Sequence, residues 1–365
     1  MEPRFIAFYL PQYHPFKEND EWWGPGYTEW ISVVKAKKLY PTHYQPKLPG
    51  KLGFYDLRLT ETRQAQADLA KEYGIYGFCY YYYRLNKNLH PMDKIIKDVL
   101  KTGKPDFPFM FCWANHNWEA KEWNSYETYK SRLLARQEYG DEQDIKDFFF
   151  EVLPYFKDNR YIKEDGCPLF SFVGSLTVPD IEKFMSIWNQ LAKENGFNGI
   201  KFWGYTDQYH KTRNLLEEKH FDKIISCRLH PEDLKGSKIR KFFVKAWHHF
   251  IPLPIILSYK KIIKDLFSDE EKNENVIPTV VPNWDPSPRR KHWVTIWDGS
   301  TPQLFAEQIH SVLEIVKNKK NKWIFIKSWN EWGEGNYLEP DRKYGNQFLE
   351  ALKTELDRFN EVDEK

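Results

Sequence analysis

Short apolar or aromatic runs recur along the chain at residues 5–10, 75–82, 107–113, 169–173, 200–205, 223–227, 276–281 and 323–328. Each is about 5–8 residues long and nearly continuous rather than alternating, the pattern of a strand buried on both faces. Between them, apolar positions spaced three and four apart predict helices over 57–73, 91–100, 141–156, 179–194, 214–220, 302–318 and 344–359. Thr60 reads as a cap, Pro179 and Pro302 as first-turn prolines, and Gly74, Gly103 and Gly196 as stops. Strands alternating with helices predict a parallel sheet, and eight is the number that closes into a (β/α)8 TIM barrel. A doubly wound open sheet is the alternative. With no internal repeat or flexible linker, residues 1–365 read as a single domain.

Two segments depart from the alternation. Residues 11–55, rich in Pro, Gly, Tyr and Trp, predict a long structured loop after the first strand, over the barrel top. A helical insertion is expected over 232–275, after the sixth strand. Its first part carries Phe242, Phe243, Trp247 and Phe250, and eight Lys/Arg between Lys235 and Lys264. Such a basic, aromatic-studded stretch, 235–264, could touch an anionic membrane surface, or could pack its apolar face on the barrel.

Composition narrows the class. The 54 Lys+Arg nearly balance 52 Asp+Glu, against the basic excess of a nucleic-acid binder, so no nucleic-acid partner is expected. No apolar run approaches the roughly 18–20 residues that span a bilayer. Cys79, Cys112, Cys167 and Cys227 are scattered without metal-ligand spacing and read as buried free thiols of a reducing compartment. With Met1-Glu2-Pro3-Arg4 running straight into a strand, the expected location is cytoplasmic, with peripheral contact at the inner membrane through the insertion. The anomaly is 15 Trp, 22 Tyr and 26 Phe. These could fill a large core or line a cleft that stacks on sugar faces. Their concentration beyond the strand ends favours the cleft.

Barrel enzymes build their sites from loops at the C-terminal strand ends. Polar and aromatic residues collect there: Tyr9, Gln12 and Tyr13 after strand 1, Tyr82 and Arg84 after strand 2, and Trp113, Asn115, His116 and Trp118 after strand 3. Trp284 and Asp285 follow strand 7, and Trp329 and Asn330 follow strand 8. All are candidate substrate-binding residues; for Arg84 the choice is an anionic substituent or a loop carboxylate, and Asp285 could be a third acid. Glu331 and Glu334, three apart between tryptophans, are the candidate catalytic pair. Cleaving a glycosidic bond needs one carboxyl to donate a proton and another to accept one or attack. Neighbouring acids push each other's pKa values apart. Neither D-x-D, a phosphate-binding glycine loop, a nucleophile elbow nor zinc spacing is present, so no metal or cofactor is expected.

The opening Arg4-Phe5-Ile6-Ala7-Phe8-Tyr9-Leu10-Pro11-Gln12-Tyr13-His14-Pro15, with Glu21-Trp22-Trp23-Gly24 and Tyr27-Thr28-Glu29-Trp30, resembles the WbsX-like proteins of bacterial surface-polysaccharide clusters. These are related to glycoside hydrolase family 99. Gly77–Tyr82, Cys112–Trp118, Pro282–Asp285 and Ser328–Gly335 fit the same pattern, so the resemblance covers nearly the whole chain. It implies a (β/α)8 barrel acting with retention on α-linked, mannoside-like glycans. It further implies that Glu331 deprotonates the substrate's own 2-hydroxyl, which attacks the anomeric carbon, and that Glu334 protonates the leaving oxygen. Gly333 stands where those hydrolases commonly carry His. Together these readings predict a glycoside hydrolase or transglycosidase of bacterial polysaccharide. A glycosyltransferase of O-antigen, capsule or lipopolysaccharide assembly and a non-catalytic glycan-binding protein are the alternatives.

Overall fold

The computed structural model describes residues 2–121, 131–229, 254–290 and 294–363. The eight apolar runs form eight parallel strands: Arg4–Tyr9, Ile75–Tyr82, Phe109–Trp113, Cys167–Phe172, Lys201–Thr206, Lys223–Ser226, Val276–Val280 and Trp323–Ile326. Each pairs with its neighbour in chain order, the third with the fourth included, and the eighth returns to the first. The sheet therefore closes, leaving no edge within the barrel. Residues 5–9 and 323–326 are buried throughout, as continuous apolar strands between an inner core and an outer helical layer must be.

A helix follows each barrel strand. The expected helices appear as Thr60–Glu72, Asp93–Thr102, Glu142–Lys157, Ile181–Glu194, Tyr209–Glu218, Pro302–Val316 and Gln347–Asp363. Thr301 caps the helix begun by Pro302 through Leu304 N–H, and Asp141 caps another through Asp144 N–H. Three local readings differ. Thr60 lies inside the first turn without capping it, Pro179 precedes the Asp180 cap, and the helix expected at 214 starts at Tyr209, whose buried ring replaces an apolar signal.

The loop after the first strand is structured, as its composition suggests. It contains short helices at Lys17–Trp23 and Glu29–Lys35. Trp30 packs on Tyr13 and Trp332, with ring centroids 4.5 and 5.8 Å away, so the loop covers the end of the eighth strand. Of the expected insertion, residues 230–253 lie outside the described residues, as does most of the basic stretch considered for membrane contact. The described remainder is not wholly helical. Ile255–Ser258 is a strand pairing in parallel with Thr295–Asp298, because alternate residues Ile255 and Leu257 are buried while the others face out. The helix Tyr259–Asp265 then carries Lys260, Lys261 and Lys264. No helix of the described residues is long and apolar enough to cross a membrane.

The aromatic excess is shared between core and cleft, a correction to the reading that weighted the cleft. Trp113, Trp188, Trp203, Trp323, Trp329 and Trp332 are fully buried, and Trp188 meets Phe148, Phe170 and Phe184 in a chain of edge and tilted contacts. Such contacts contribute about 0.5–1.5 kcal/mol each beyond the area they bury. All four cysteines are free and buried.

Gly77, in the second strand, lies where the third begins. A Cβ there would stand 2.7 Å from the Pro108 carbonyl oxygen, a backbone atom unable to swing aside. Gly77→Ala is expected to destabilise the barrel by about 1–3 kcal/mol. Chemical denaturation checks this; an unchanged midpoint would show that the strands separate freely at this point.

Candidate active site

The eighth strand ends in Ile326 and is followed at once by Lys327, whose Nζ donates to Tyr81 Oη at 2.8 Å and to Glu331 Oε2 at 2.9 Å. The turn Trp332–Glu334 then brings Glu334 to the same side. From the loop after the seventh strand, Arg289 reaches across. Its Nη1 lies 3.1 Å from Glu331 Oε1 and 2.9 Å from Glu334 Oε1, and its Nε donates to Glu29 Oε2 at 3.1 Å. Both acids line one cavity of about 900 Å³ at the C-terminal end of the barrel.

The two carboxyls are shifted in opposite directions. Burial alone would raise the pKa of Glu331, but the Lys327 ammonium and then the Arg289 guanidinium outweigh it and hold the carboxyl well below its usual range. Glu334 is raised, by burial first and the Glu331 charge second, against weaker opposition from Arg289 and Lys327. The two pKa values are thereby driven apart, the division that acid–base work requires. Gly333 between them is sterically compelled: a Cβ there would collide with the Glu29 carboxylate and the Arg289 guanidinium.

The cavity gathers Gln12, Asn115, His116, Trp118, Trp284, Glu331 and Glu334 from the residues singled out in the sequence. Asn115 also ties two loops together, donating to Gly174 O at 2.8 Å and accepting from Gly174 N at 2.7 Å. The other candidates sit behind the cavity wall. Tyr9 donates to Gln66, Tyr13 accepts from Trp332 N–H, and Tyr82 stacks on Phe148. Arg84 is buried in a clasp with Asp144 and Glu151, so carboxylates of the adjoining helix consume its charge. Trp113 donates its indole N–H to Arg84 O, and Trp329 packs on Phe78. Asn330 mimics a peptide against Leu10, accepting from its N–H at 2.8 Å and donating to its carbonyl at 3.0 Å. Asp285 faces away toward His43, Gln45 and Lys47, and these donors depress its pKa despite burial.

Some of these displacements share a cause. Along an extended chain, successive side chains point to opposite faces. Tyr81 and Tyr83 line the cavity while Tyr82 and Arg84 do not, and Trp284 lines it while Asp285 does not. Sequence reading missed Lys327, Arg289 and Glu29. A lysine ending an apolar strand four residues before an acid was the available signal for Lys327; nothing local marks the other two. Among the described residues, no group of three or more His, Cys, Asp and Glu gathers to hold a metal ion.

Behind the acids, Glu339 is buried without a cation. Its carboxyl accepts from Tyr55 Oη, Gln66 Nε2 and Trp332 Nε1 at 2.8, 2.6 and 2.7 Å, fixing the indole between the two catalytic candidates. Burial raises its pKa to about 7, against the pull of those donors.

The chain is thus a closed eight-stranded parallel barrel with Glu331 and Glu334 at its C-terminal end. The family model described as Glycosyltransferase WbsX matches residues 5–352, and the chain belongs to that family. Uncharacterized WxcX proteins from two strains of Xanthomonas campestris pv. campestris are 30% identical over 363 residues, 98% of this chain. The chain spans about half (50%) of the length of these relatives. Among solved structures, the GH99 endo-α-mannosidase of Bacteroides thetaiotaomicron aligns over 99% of each chain with a TM-score of 0.56 and 14% identity. A glycoside hydrolase-like protein aligns over 97% of this chain and 94% of its own, with a TM-score of 0.57 and 16% identity. At these identities the likeness establishes the fold.

Because the Glu339 pKa is raised in the fold from an ordinary 4.5 to about 7, the folded state binds the extra proton between those values. Its contribution is fully present below pH 4.5 and lost as pH rises through 7, on the order of 3 kcal/mol. Glu339→Gln should flatten this part of the stability profile. Thermal melts from pH 5 to 8 with equal slopes in both proteins would refute the assignment.

Proposed function

We propose that the chain acts on an α-linked, mannoside-like bacterial glycan with retention, as a glycoside hydrolase or transglycosidase. The observation that carries this reading is the pair Glu331 and Glu334, bridged by one guanidinium nitrogen and shifted in opposite pKa directions, inside a cavity bordered by Trp23, Trp118 and Trp284. The bridged oxygens can be no farther apart than the sum of their two contacts.

In the proposed sequence, Glu331 takes the proton of the sugar 2-hydroxyl as that oxygen attacks the anomeric carbon, forming a 1,2-anhydrosugar. Glu334 gives its proton to the departing glycosidic oxygen. Water or an acceptor hydroxyl, deprotonated by Glu334, then opens the anhydro ring at the anomeric carbon, and the 2-oxygen regains its proton from Glu331. Two inversions give retention. Lys327 and Arg289 keep Glu331 ionised but make it a weak base in the empty site. Proton transfer therefore depends on the substrate hydroxyl entering between Glu331 and one of its cations. The cavity's aromatic rings offer flat faces for sugar C–H surfaces.

A transferase reading draws support from the family description and from Arg290, a further cation lining the cavity that could meet a donor diphosphate. Arg289 and Lys327 are already engaged by Glu29, Glu331 and Glu334, which favours the glycosidic reading.

Two outcomes are expected on a panel of defined bacterial oligosaccharides followed by mass spectrometry. Glu334→Gln should lower kcat by about 10²–10⁴ while leaving glycan affinity intact; undiminished turnover would end the mechanism. Arg289→Met should raise the pKa of Glu331, moving the acid limb of the pH–rate profile upward, whereas an unmoved limb would remove Arg289 from the charge balance.

A further inference from the structure

The segment after the seventh strand separates two cavities. Trp284 and Pro286 face the catalytic one, while Asn283 and Asp285 line a second of about 330 Å³. The second cavity is backed by the strand Thr295–Asp298, whose Trp297 N–H donates to Trp284 O at 2.8 Å. Its walls include several rings among polar groups: Trp297 and Tyr337 are buried, and Tyr44 and Tyr344 are half-buried. The Lys343 ammonium lies 4.6 Å from the ring centroids of both Tyr44 and Tyr344. Asp298, Ser300 and Thr301 add hydroxyl and carboxyl groups. Trp297 is buried and, among the described residues, its indole Nε1 has no hydrogen-bond partner, a donor that native folds seldom leave idle.

Charge decides what kind of molecule fits. Among the described residues, Asp285, Asp298 and Asp341 line the cavity against Lys47 and Lys343, with Glu339 drawn toward its protonated form, so no strong net charge is left to attract an anion. A cation fares little better, because most of those carboxylates are already engaged. Asp285 accepts from His43 and Gln45 and lies 3.5 Å from Lys47, and Glu339 has its three donors. Asp341 accepts from Tyr337 Oη at 2.8 Å and from the backbone N–H of Lys343 and Tyr344. Asp298 Oδ1 takes the Tyr40 hydroxyl. What remains is a pocket of rings with scattered single donors and acceptors, near the lower end of the roughly 300–1,000 Å³ range of small-molecule sites. That combination suits a neutral ring bearing several hydroxyls.

We propose that this second cavity binds one neutral pyranose unit of a glycan, away from the bond-breaking acids and across a shared loop from them. Tyr44 and Tyr344 would border the sugar faces, and Asp298, Ser300 and Lys343 would meet its hydroxyls. The binding does not require turnover, so it stands or falls separately from the reaction proposed above.

Saturation-transfer difference NMR on the full chain tests it, with methyl α-D-mannopyranoside, methyl α-D-glucopyranoside and methyl α-D-galactopyranoside as probes. Concentrations of about 10 mM suit the millimolar dissociation constants of single sugars. At least one probe should give a signal that survives the W118A/E334Q double variant of the catalytic cavity. The same signal should be lost in Asp298→Ala and in Tyr344→Ala. Lys343→Met, at an exposed position, gives a further weakening should either of those fail to fold, as judged by thermal melting. No signal from any probe, a signal that persists in Tyr344→Ala, or one lost equally in the double variant would each overturn the proposal.

Discussion

Three carboxylates and two cations meet at the mouth of an aromatic barrel, where none could stay charged alone. Isolated charges in such surroundings cost several kcal/mol each, so the group stands only as a set. Arg289 is its hinge, touching Glu29, Glu331 and Glu334 through one planar fork, a geometry that lysine could not reproduce. Lys327 supplies the second cation from the position just after the eighth barrel strand, packed near the rings of Phe8 and Tyr81. The unequal shares of these cations push the pKa values of Glu331 and Glu334 in opposite directions. The rest of the site, including the absence of a side chain at residue 333, is arranged around that balance.

The barrel was legible because its strands are unbroken apolar runs, a signal that needs no knowledge of distant partners. The site was legible in part. Glu331 and Glu334 stood out because two acids following a buried strand are unusual. Reading tyrosines and tryptophans by proximity to strand ends failed wherever the two-residue alternation mattered, as at Tyr82 against Tyr83 or Asp285 against Trp284. Glu29 and Arg289 are separated from the acids by long stretches of chain, and only closure of the barrel brings them together. Gly333 carried a local trace of them, since an absent side chain is what the crowded ion pairs demand.

The same alternation explains why aromatic composition proved a blunt guide. Of the described tryptophans, Trp23, Trp118 and Trp284 line the catalytic cavity, whereas six others are wholly buried. A ring at a strand end has two destinies set by parity: outward to the helical layer, or inward to the cavity. Family membership agrees with the architecture, and the shared barrel extends to enzymes of low sequence identity.

Asn115 and Asn330 each present an amide to a backbone peptide and exchange two hydrogen bonds with it. Each thereby splices one loop to another where no regular ladder runs. Such a splice demands both an oxygen and a nitrogen in fixed order. Conversion of either amide to an acid, by slow chemical ageing or by a single-base change, would set oxygen against carbonyl oxygen. The damage would reach the mouth of the cavity without altering Glu331 or Glu334 themselves.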